Sequence, residues 1–234
     1  MKNAFERVSN RASLKEMKIK RPFILLSLSM VFLSHVCSLS WAEEPKPAAT
    51  EKMVFKTEWK GERIELPPAF APGMGLKGVE EIRFAPGMFD AKSESFFSYV
   101  FVFSVSADQP LTQEVIQKDM LSYYRGLAQS VLKSRKVTVD VDKFTFAMEK
   151  AKEATNVPQG AGKAEGVTQY SGKLDWVEPF ATAKSLILYF ELQTWSDPVT
   201  AKNYLFVCTS PQQPDDKLAI WKDLRGIRKE FLVR

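Results

Sequence analysis

One apolar stretch near the end of the chain carries side chains that could bind a ligand. Four of them are spaced two residues apart, so on a strand they lie on the same face. They are Tyr189, Glu191, Gln193 and Trp195. Aromatic rings cover the apolar C–H surface of a sugar or peptide, while amide and carboxylate groups bind its hydroxyls or amides. We therefore predict a binding site on this face. The alternative, which is the more common arrangement, is that the face lies beneath a helix or loop.

Paired carboxylates would allow glycoside hydrolysis, in which one acid donates a proton and the other attacks or activates water. The acids considered for such a pair are Glu80, Glu81, Asp175, Glu178 and Glu191. Glu191 is the one that stands inside an apolar strand, where burial would raise its pKa. The structural alternative is that Glu191 faces solvent or pairs with a cross-strand Lys or Arg.

Two shorter patterns are weaker indications of chemistry. Ser130 and Lys133 match Ser-x-x-Lys, a motif of penicillin-binding proteins and β-lactamases, but here the serine stands near a helix end and no Lys-Thr-Gly triplet is present. Asp140 and Asp142 offer two close carboxylates for calcium without the twelve-residue loop pattern. We assign no catalytic residue, no metal site and no cofactor from these patterns.

Several classes of chemistry are excluded once the first 42 residues are removed. The only histidine, His35, lies in that segment, so the remainder lacks the base of Ser-His and Cys-His catalysis and the ligand of His-bound metals. Cys208 is then the one remaining cysteine, which excludes an internal disulfide, a Cys-x-x-Cys redox pair and a thiolate zinc cage. Its apolar setting predicts a buried, inert thiol.

The first 42 residues have the three parts of a secretory signal. A basic patch at residues 18–21 precedes the short apolar run 23–33, and Ser40-Trp41-Ala42 supplies a small-x-small cleavage site. Met17 is a possible true start. We predict a signal peptide over residues 1–42 and an exported protein, periplasmic or secreted, with no stable membrane span after cleavage. An uncleaved signal anchor is the alternative.

The basic charge of the whole chain belongs to this leader. The chain has 33 Lys+Arg and 28 Asp+Glu, and residues 1–42 carry a net charge of +5, so the remainder is electroneutral. Phosphate recognition needs a basic excess on the folded domain, so no nucleic-acid partner is expected.

Residues 43–52 lack large apolar groups and are predicted to be a flexible linker, followed by one α+β domain over residues 53–234. Alternation predicts strands near residues 62–66, 96–105, 144–148, 169–176, 186–195 and 204–208. The 96–105 strand is apolar on both faces, which is typical of a central strand covered on both sides. Periodic apolar residues predict a long helix over 111–133 and a C-terminal helix capped by Asp215 or Asp216.

This order of elements predicts an antiparallel β-sheet with a long central helix and a C-terminal helix packed on it, as a two-layer or an α/β/α sandwich. It resembles the element order of the Mog1/PsbP-like sandwiches. The resemblance is one of topology, so it implies a fold and no function.

A near-repeat at residues 70–74 and 84–88 reads Phe-Ala-Pro-Gly-Met both times. Proline followed by glycine favours a type II turn, because proline fixes φ and glycine accepts a positive φ. We expect two such turns with Phe and Met packed into the core. A duplicated binding loop is the alternative.

The sequence favours an exported, non-enzymatic binding or accessory module of the cell envelope. Its partner would be an unknown small molecule, a glycan or a protein. The alternatives are a carboxylate-dependent envelope hydrolase acting on glycans and a docking subunit of an envelope complex.

Overall fold

The computed structural model describes residues 52–161 and 165–234 of the chain. Two groups of four strands, each followed by a helix, and a short last strand make up the described residues, in an order that sequence periodicity largely predicts. They are β1 (Met53–Val54), β2 (Lys60–Leu66), β3 (Gly78–Phe84), β4 (Tyr99–Ser106), α1 (Gln113–Ser134), β5 (Thr145–Lys150), β6 (Glu165–Val177), β7 (Ser185–Asp197), β8 (Lys202–Ser210), α2 (Ala219–Glu230) and β9 (Leu232–Val233). The predicted leader and most of the linker lie outside the described residues.

Seven strands form one antiparallel sheet in the order β2-β3-β4-β8-β7-β6-β5. The short β1 and β9 pair separately and are also antiparallel. The predicted α+β class, an antiparallel sheet with a central and a C-terminal helix packed on it, is confirmed. Within the described residues, no helix is both long enough and apolar enough to cross a membrane.

The two helices cover opposite faces of the sheet, so the molecule has three layers. The strand β4 shows this directly, because every residue from Tyr99 to Val105 is buried. Phe101 and Phe103 belong to the core beneath α1, whereas Val100 and Val102 belong to the core beneath α2. Alternate side chains of one strand therefore fill both cores, as the doubly apolar pattern predicts.

Helix α1 begins where Thr112 caps it, since the Thr112 hydroxyl accepts a hydrogen bond from the Val115 amide at 3.3 Å. One side of the helix is buried against the sheet, and it includes a charged residue, Asp119. The Asp119 carboxylate accepts hydrogen bonds from the amides of Gly75 and Leu76, the shorter at 2.7 Å. These bonds attach the β2–β3 connection to the helix.

Helix α2 begins later than predicted. Its N-cap residue is Leu218, whose side chain makes no capping hydrogen bond. The predicted N-cap at Asp215 or Asp216 is therefore wrong. Asp215 instead accepts a hydrogen bond from the Lys217 amide at 2.8 Å, which is a local turn before the helix. Asp216 is an ion-pair partner of Arg225.

The repeated Pro-Gly pentapeptides close similar turns with different backbone conformations. Met74 donates its amide to the Ala71 carbonyl and Met88 donates to Ala85, and all four residues are buried. Gly87 has a φ of 81°, as a type II turn requires, but Gly73 is not among the positive-φ glycines. Core packing is confirmed for the two methionines, whereas Phe70 and Phe84 are half-buried against the same core. The type II prediction is wrong for the first turn.

Candidate functional site

A cavity of about 440 Å³ lies where α1 begins, against the nearby ends of β6, β7 and β8, and it opens to solvent. We refer to it as the α1 cavity. Its polar lining consists of short uncharged side chains, Thr112, Thr168, Thr194, Ser196 and Asn203. Its apolar lining comes from the segment that leads into α1, at Ala107, Pro110 and Leu111. No charged side chain is found among the described residues that line it.

A β-bulge shapes one wall of the α1 cavity. Thr168 pairs with Thr194 and Glu165 pairs with Ser196, so two residues of β6 stand opposite Trp195 alone. One of these two residues is Gly166, whose φ of 61° suits glycine. Directly paired residues project to the same face of a sheet, so the Thr168 and Thr194 side chains are neighbours in this wall.

Besides Thr112, which caps α1, two of the polar side chains in the wall are already hydrogen-bonded. The Ser196 hydroxyl donates to Asn203 Oδ1 at 2.6 Å. The Asn203 amide nitrogen donates to the Ala107 carbonyl at 3.2 Å and to the Gln109 carbonyl at 2.9 Å. These bonds fasten β8 to the segment before α1 and fix the width of the cavity on that side.

The hydroxyls of Thr168 and Thr194, in contrast, are not engaged by the described part of the chain. Thr194 is 8% exposed, and among the described residues neither hydroxyl takes part in a hydrogen bond. A hydroxyl can both donate and accept a hydrogen bond. Both groups are therefore available to a molecule that enters the α1 cavity.

The start of α1 brings a partial positive charge to the cavity, because the first amides of a helix lack intrahelical partners. Glu114 lies in this first turn and offsets that charge. Hydrogen bonds from its own amide and from the Thr112 side chain lower the pKa of the Glu114 carboxyl. The carboxylate therefore stays ionised beside the cavity at neutral pH.

The four residues predicted as a binding face lie along the side of β7 that α2 covers. Tyr189 is half-buried, and its hydroxyl accepts a hydrogen bond from Gln213 at 3.0 Å. Gln193 donates to the Thr155 carbonyl and to Gln169 Oε1. Trp195 is 3% exposed and stacks on Tyr204, with ring centroids 5.1 Å apart. This placement is the alternative arrangement, a face beneath a helix, and only Trp195 also borders the α1 cavity.

Glu191 is the centre of a buried ion network. Arg228, which is fully buried, donates to Glu191 Oε2 at 2.9 Å, and Arg225 donates to Oε1 through Nε at 3.0 Å. Burial works to raise the pKa of Glu191, but hydrogen bonds and charge from the two arginines lower it overall. The expectation of a raised pKa is therefore wrong in direction. The partners are arginines of α2, not cross-strand residues, so Glu191 holds the helix on the sheet.

The thiol of Cys208 lies in the same region. It is fully buried, as predicted, and accepts a weak contact from Arg228 Nη1 at 3.8 Å. Burial raises the pKa of Cys208 to about 12. A thiol that stays protonated in a closed core is not a nucleophile.

The other acids considered for hydrolysis are dispersed. The Glu178 carboxylate accepts hydrogen bonds from the amides of Ala181 and Thr182 and so closes a loop. Glu81 bridges two arginines, Arg63 and Arg83. Asp175 is exposed on β6. None of these acids borders the α1 cavity as the structure describes it.

Glu80 differs from the other acids because it is enclosed by the core beneath α1. It is fully buried, Tyr123 donates to its Oε1 at 3.2 Å, and Oε2 has no hydrogen-bond partner in the described part of the chain. Burial raises the pKa of Glu80 to about 8. Near it, the hydroxyls of Tyr99 and Tyr124 are 2.6 Å apart. Glu80 is therefore a neutral acid of the core at pH 7.

The Asp140/Asp142 pair and the Ser130/Lys133 pair are not placed, among the described residues, in a setting that supports chemistry. Asp140 accepts a hydrogen bond from the Asp142 amide at 3.3 Å and pairs with Lys143, which is a local turn. Across residues 52–161 and 165–234, no cluster of three His, Cys, Asp or Glu side chains could hold a metal ion. Ser130 and Lys133 lie in the last turns of α1, so the serine does not open a helix.

Sequence reasoning considered the Trp195 side of β7 and did not examine the opposite side. Thr194 stands on that opposite side, between two residues of the predicted face, and Thr168 stands just before the predicted start of β6. The available signal was a threonine two residues after Gly166 and a second threonine near the end of another strand. It was weak because threonine is common in strands of every kind.

Fold and site together define a three-layer α+β protein with an uncharged polar cavity at the start of its central helix. The chain matches no protein-family model, no curated protein and no solved structure. Its function is therefore argued from the cavity itself.

Proposed function

We propose that the protein is a non-enzymatic binding module whose ligand is a small molecule held in the α1 cavity. The observation that carries the proposal is the pair of adjacent hydroxyls, Thr168 and Thr194, left open in a cavity of about 440 Å³. Its volume falls within the range of small-molecule sites, about 300 to 1,000 Å³, in which a few placed polar groups orient the ligand.

Catalysis by paired acids is not favoured. It needs two carboxylates on either side of a bound substrate, about 5 to 9.5 Å apart. Glu80, Glu178 and Glu191 are each buried and engaged elsewhere, and no carboxylate is found among the described residues of the cavity wall. The binding interpretation needs only the hydroxyls and the shape of the wall.

A docking subunit would need a contiguous apolar patch of several hundred Å². Among the described residues, the large apolar side chains that are exposed fall in four different connections between strands and helices. They are Phe89, Val137, Val157 and Val199. Isolated exposed residues of this kind are normal for a protein surface, so this alternative has less support than the cavity.

We also propose that the module acts outside the cytoplasm, after removal of residues 1–42. The support is the basic, apolar and small-x-small order of the leader. N-terminal sequencing of the protein recovered from its native cell envelope would test this. A mature chain that starts near Glu43 is the expected result, and an intact leader would contradict it.

Ligand-induced shifts in amide NMR spectra test the cavity directly. The purified protein is titrated with neutral sugars, amino acids, dipeptides and small carboxylates, each as a separate probe. Saturable shifts confined to the residues around Thr168, Thr194 and Asn203 are the expected result for at least one class. If no class shifts these amides, or if the saturable shifts lie only elsewhere, the proposed cavity function is wrong.

A further inference from the structure

We infer that the α1 cavity takes an uncharged polyhydroxylated ligand of monosaccharide size and discriminates against anions. This inference rests on the proposed function, because it names the chemical class that the same cavity would hold. Three features of the wall lead to it: the arrangement of its hydroxyls, its apolar side and its electrostatics.

The hydroxyls of Thr168 and Thr194 form a matched pair for a diol. Directly paired residues of antiparallel strands have Cβ atoms about 4.5 to 5.5 Å apart, and these two residues are directly paired. Each hydroxyl can donate one hydrogen bond and accept others. Two neighbouring hydroxyls of a sugar ring, which also donate and accept, would satisfy both threonines at once.

The segment that leads into α1 supplies apolar surface to the cavity. Pro110 and Leu111 lie where the chain enters α1, and Ala107 lies just before them. A sugar ring has C–H groups on its faces and hydroxyls around its edge, so a wall that combines apolar surface with hydroxyls matches it. A purely apolar ligand would cover the threonine hydroxyls without giving them partners, at a cost for each hydroxyl it removes from water.

Electrostatics argue against a charged ligand. An anion at the start of a long helix would ordinarily be attracted by the free amides of the first turn. Here Glu114 carries a negative charge in that turn, and hydrogen bonds from its own amide and from Thr112 keep it ionised. A cation could not form a direct ion pair in the cavity, because no carboxylate is found among the described lining residues. A neutral ligand encounters neither obstacle.

The first experiment compares neutral sugars with anionic ligands, and glucose and glucuronate are the pair most alike in shape. Glucose, galactose and N-acetylglucosamine are the neutral probes, and glucuronate and inorganic phosphate are the anionic ones, all measured by amide NMR titration at pH 7. At least one neutral sugar should bind about five-fold or more tightly than glucuronate. Stronger binding of glucuronate or phosphate at the cavity would overturn the inference while leaving the proposed function intact. Saturable cavity shifts by amino acids or dipeptides alone would likewise overturn the sugar inference and leave the proposed binding function intact. If no class of ligand binds in the cavity, both the inference and the proposed function are wrong.

The second experiment uses isosteric variants. Thr194→Val removes a hydroxyl from the cavity wall. Thr209→Val is the control: Thr209 is fully buried outside the described lining, and its hydroxyl also has no hydrogen-bond partner within the described ranges. Thr194→Val should weaken sugar binding about five-fold, close to the loss of one hydrogen bond, and Thr209→Val should leave it unchanged. Thermal melts of both variants verify folding. Equal affinities for Thr194→Val and the parent protein would overturn the inference.

A third variant tests the electrostatic argument. Glu114 is exposed, so Glu114→Gln preserves the shape of the first turn and removes its charge. Glucuronate binding should strengthen about two- to five-fold, the size of one charge at a helix end, and binding of the neutral sugar should not change. An unchanged ratio between the two ligands would refute discrimination by Glu114.

Discussion

The fully buried Glu80 makes a quantitative prediction about stability and pH. Its pKa rises from 4.5 to about 8 on folding, first because burial disfavours the charged form, and the charge of Glu62 adds to this, while the hydrogen bond from Tyr123 acts in the opposite direction. Folding therefore favours the protonated acid. The contribution to stability is complete below pH 4.5 and is lost as the pH rises towards 8.

The magnitude follows from linkage. Each pH unit between the two pKa values changes the free energy of unfolding by about 1.4 kcal/mol. From pH 5 to pH 8 the loss attributable to Glu80 is therefore roughly 3 kcal/mol. Glu80→Gln keeps an acceptor for the Tyr123 hydroxyl and cannot ionise, so its stability should not fall for this reason.

Urea denaturation of the parent protein and Glu80→Gln at pH 5, 6, 7 and 8 measures this difference. The variant should gain on the parent by roughly 3 kcal/mol between pH 5 and pH 8, because all other titrating groups are shared. Glu65→Gln, an exposed position on the neighbouring β2, is the matched control and should show no such trend. A stability difference between Glu80→Gln and the parent that stays constant with pH would refute the assignment of a raised pKa to Glu80.

Three further predictions concern packing. Arg228→Met leaves the buried Glu191 with one arginine and should cost about 3 kcal/mol or more in urea denaturation; a loss below about 1 kcal/mol would contradict the role given to this ion pair. Gly126→Ala places a Cβ 2.2 Å from a carbonyl oxygen of the β2–β3 connection and should lower stability by several kcal/mol. Gly226 lies in α2, and a Cβ added there meets no atom within 4 Å, so Gly226→Ala should raise stability by up to about 1 kcal/mol. Equal effects of the two glycine substitutions on stability would contradict these contacts. Cys208 should resist a thiol reagent in native protein at pH 8 and react fully in 6 M guanidinium; rapid native labelling would show that the thiol is accessible.

Strand and helix positions were largely predictable because periodicity is a local property. The two apolar faces of the 96–105 segment indicated a central strand, and β4 fills both cores. The strand β3 was not predicted, since its sequence places Glu80, Glu81 and Arg83 among apolar residues. Its place in the sheet beneath α1 brings Glu80 to Tyr123, whose hydroxyl donates a hydrogen bond to this buried acid.

The candidate site was less predictable for a related reason. The sequence identified β7 as the strand of interest but favoured the face that α2 covers. Which face of β7 is covered depends on where α2 packs. The position of α2 is fixed by the contacts of Arg225 and Arg228 with Glu191, which join residues more than thirty positions apart in the sequence. The α1 cavity likewise needs the bulge in β6 to meet the start of α1.

The sequence by itself determined the α+β class, the central strand, the two helices and a buried cysteine, because each follows from the spacing of apolar residues along a short segment. The tertiary structure alone decided which polar groups are satisfied and which remain open. It pairs Glu191 with arginines, leaves Glu80 neutral in the core and leaves the Thr168 and Thr194 hydroxyls facing a cavity. The physical reason is that burial and hydrogen bonding of a side chain are set by neighbours distant in sequence, whereas periodicity is set by the chain around it.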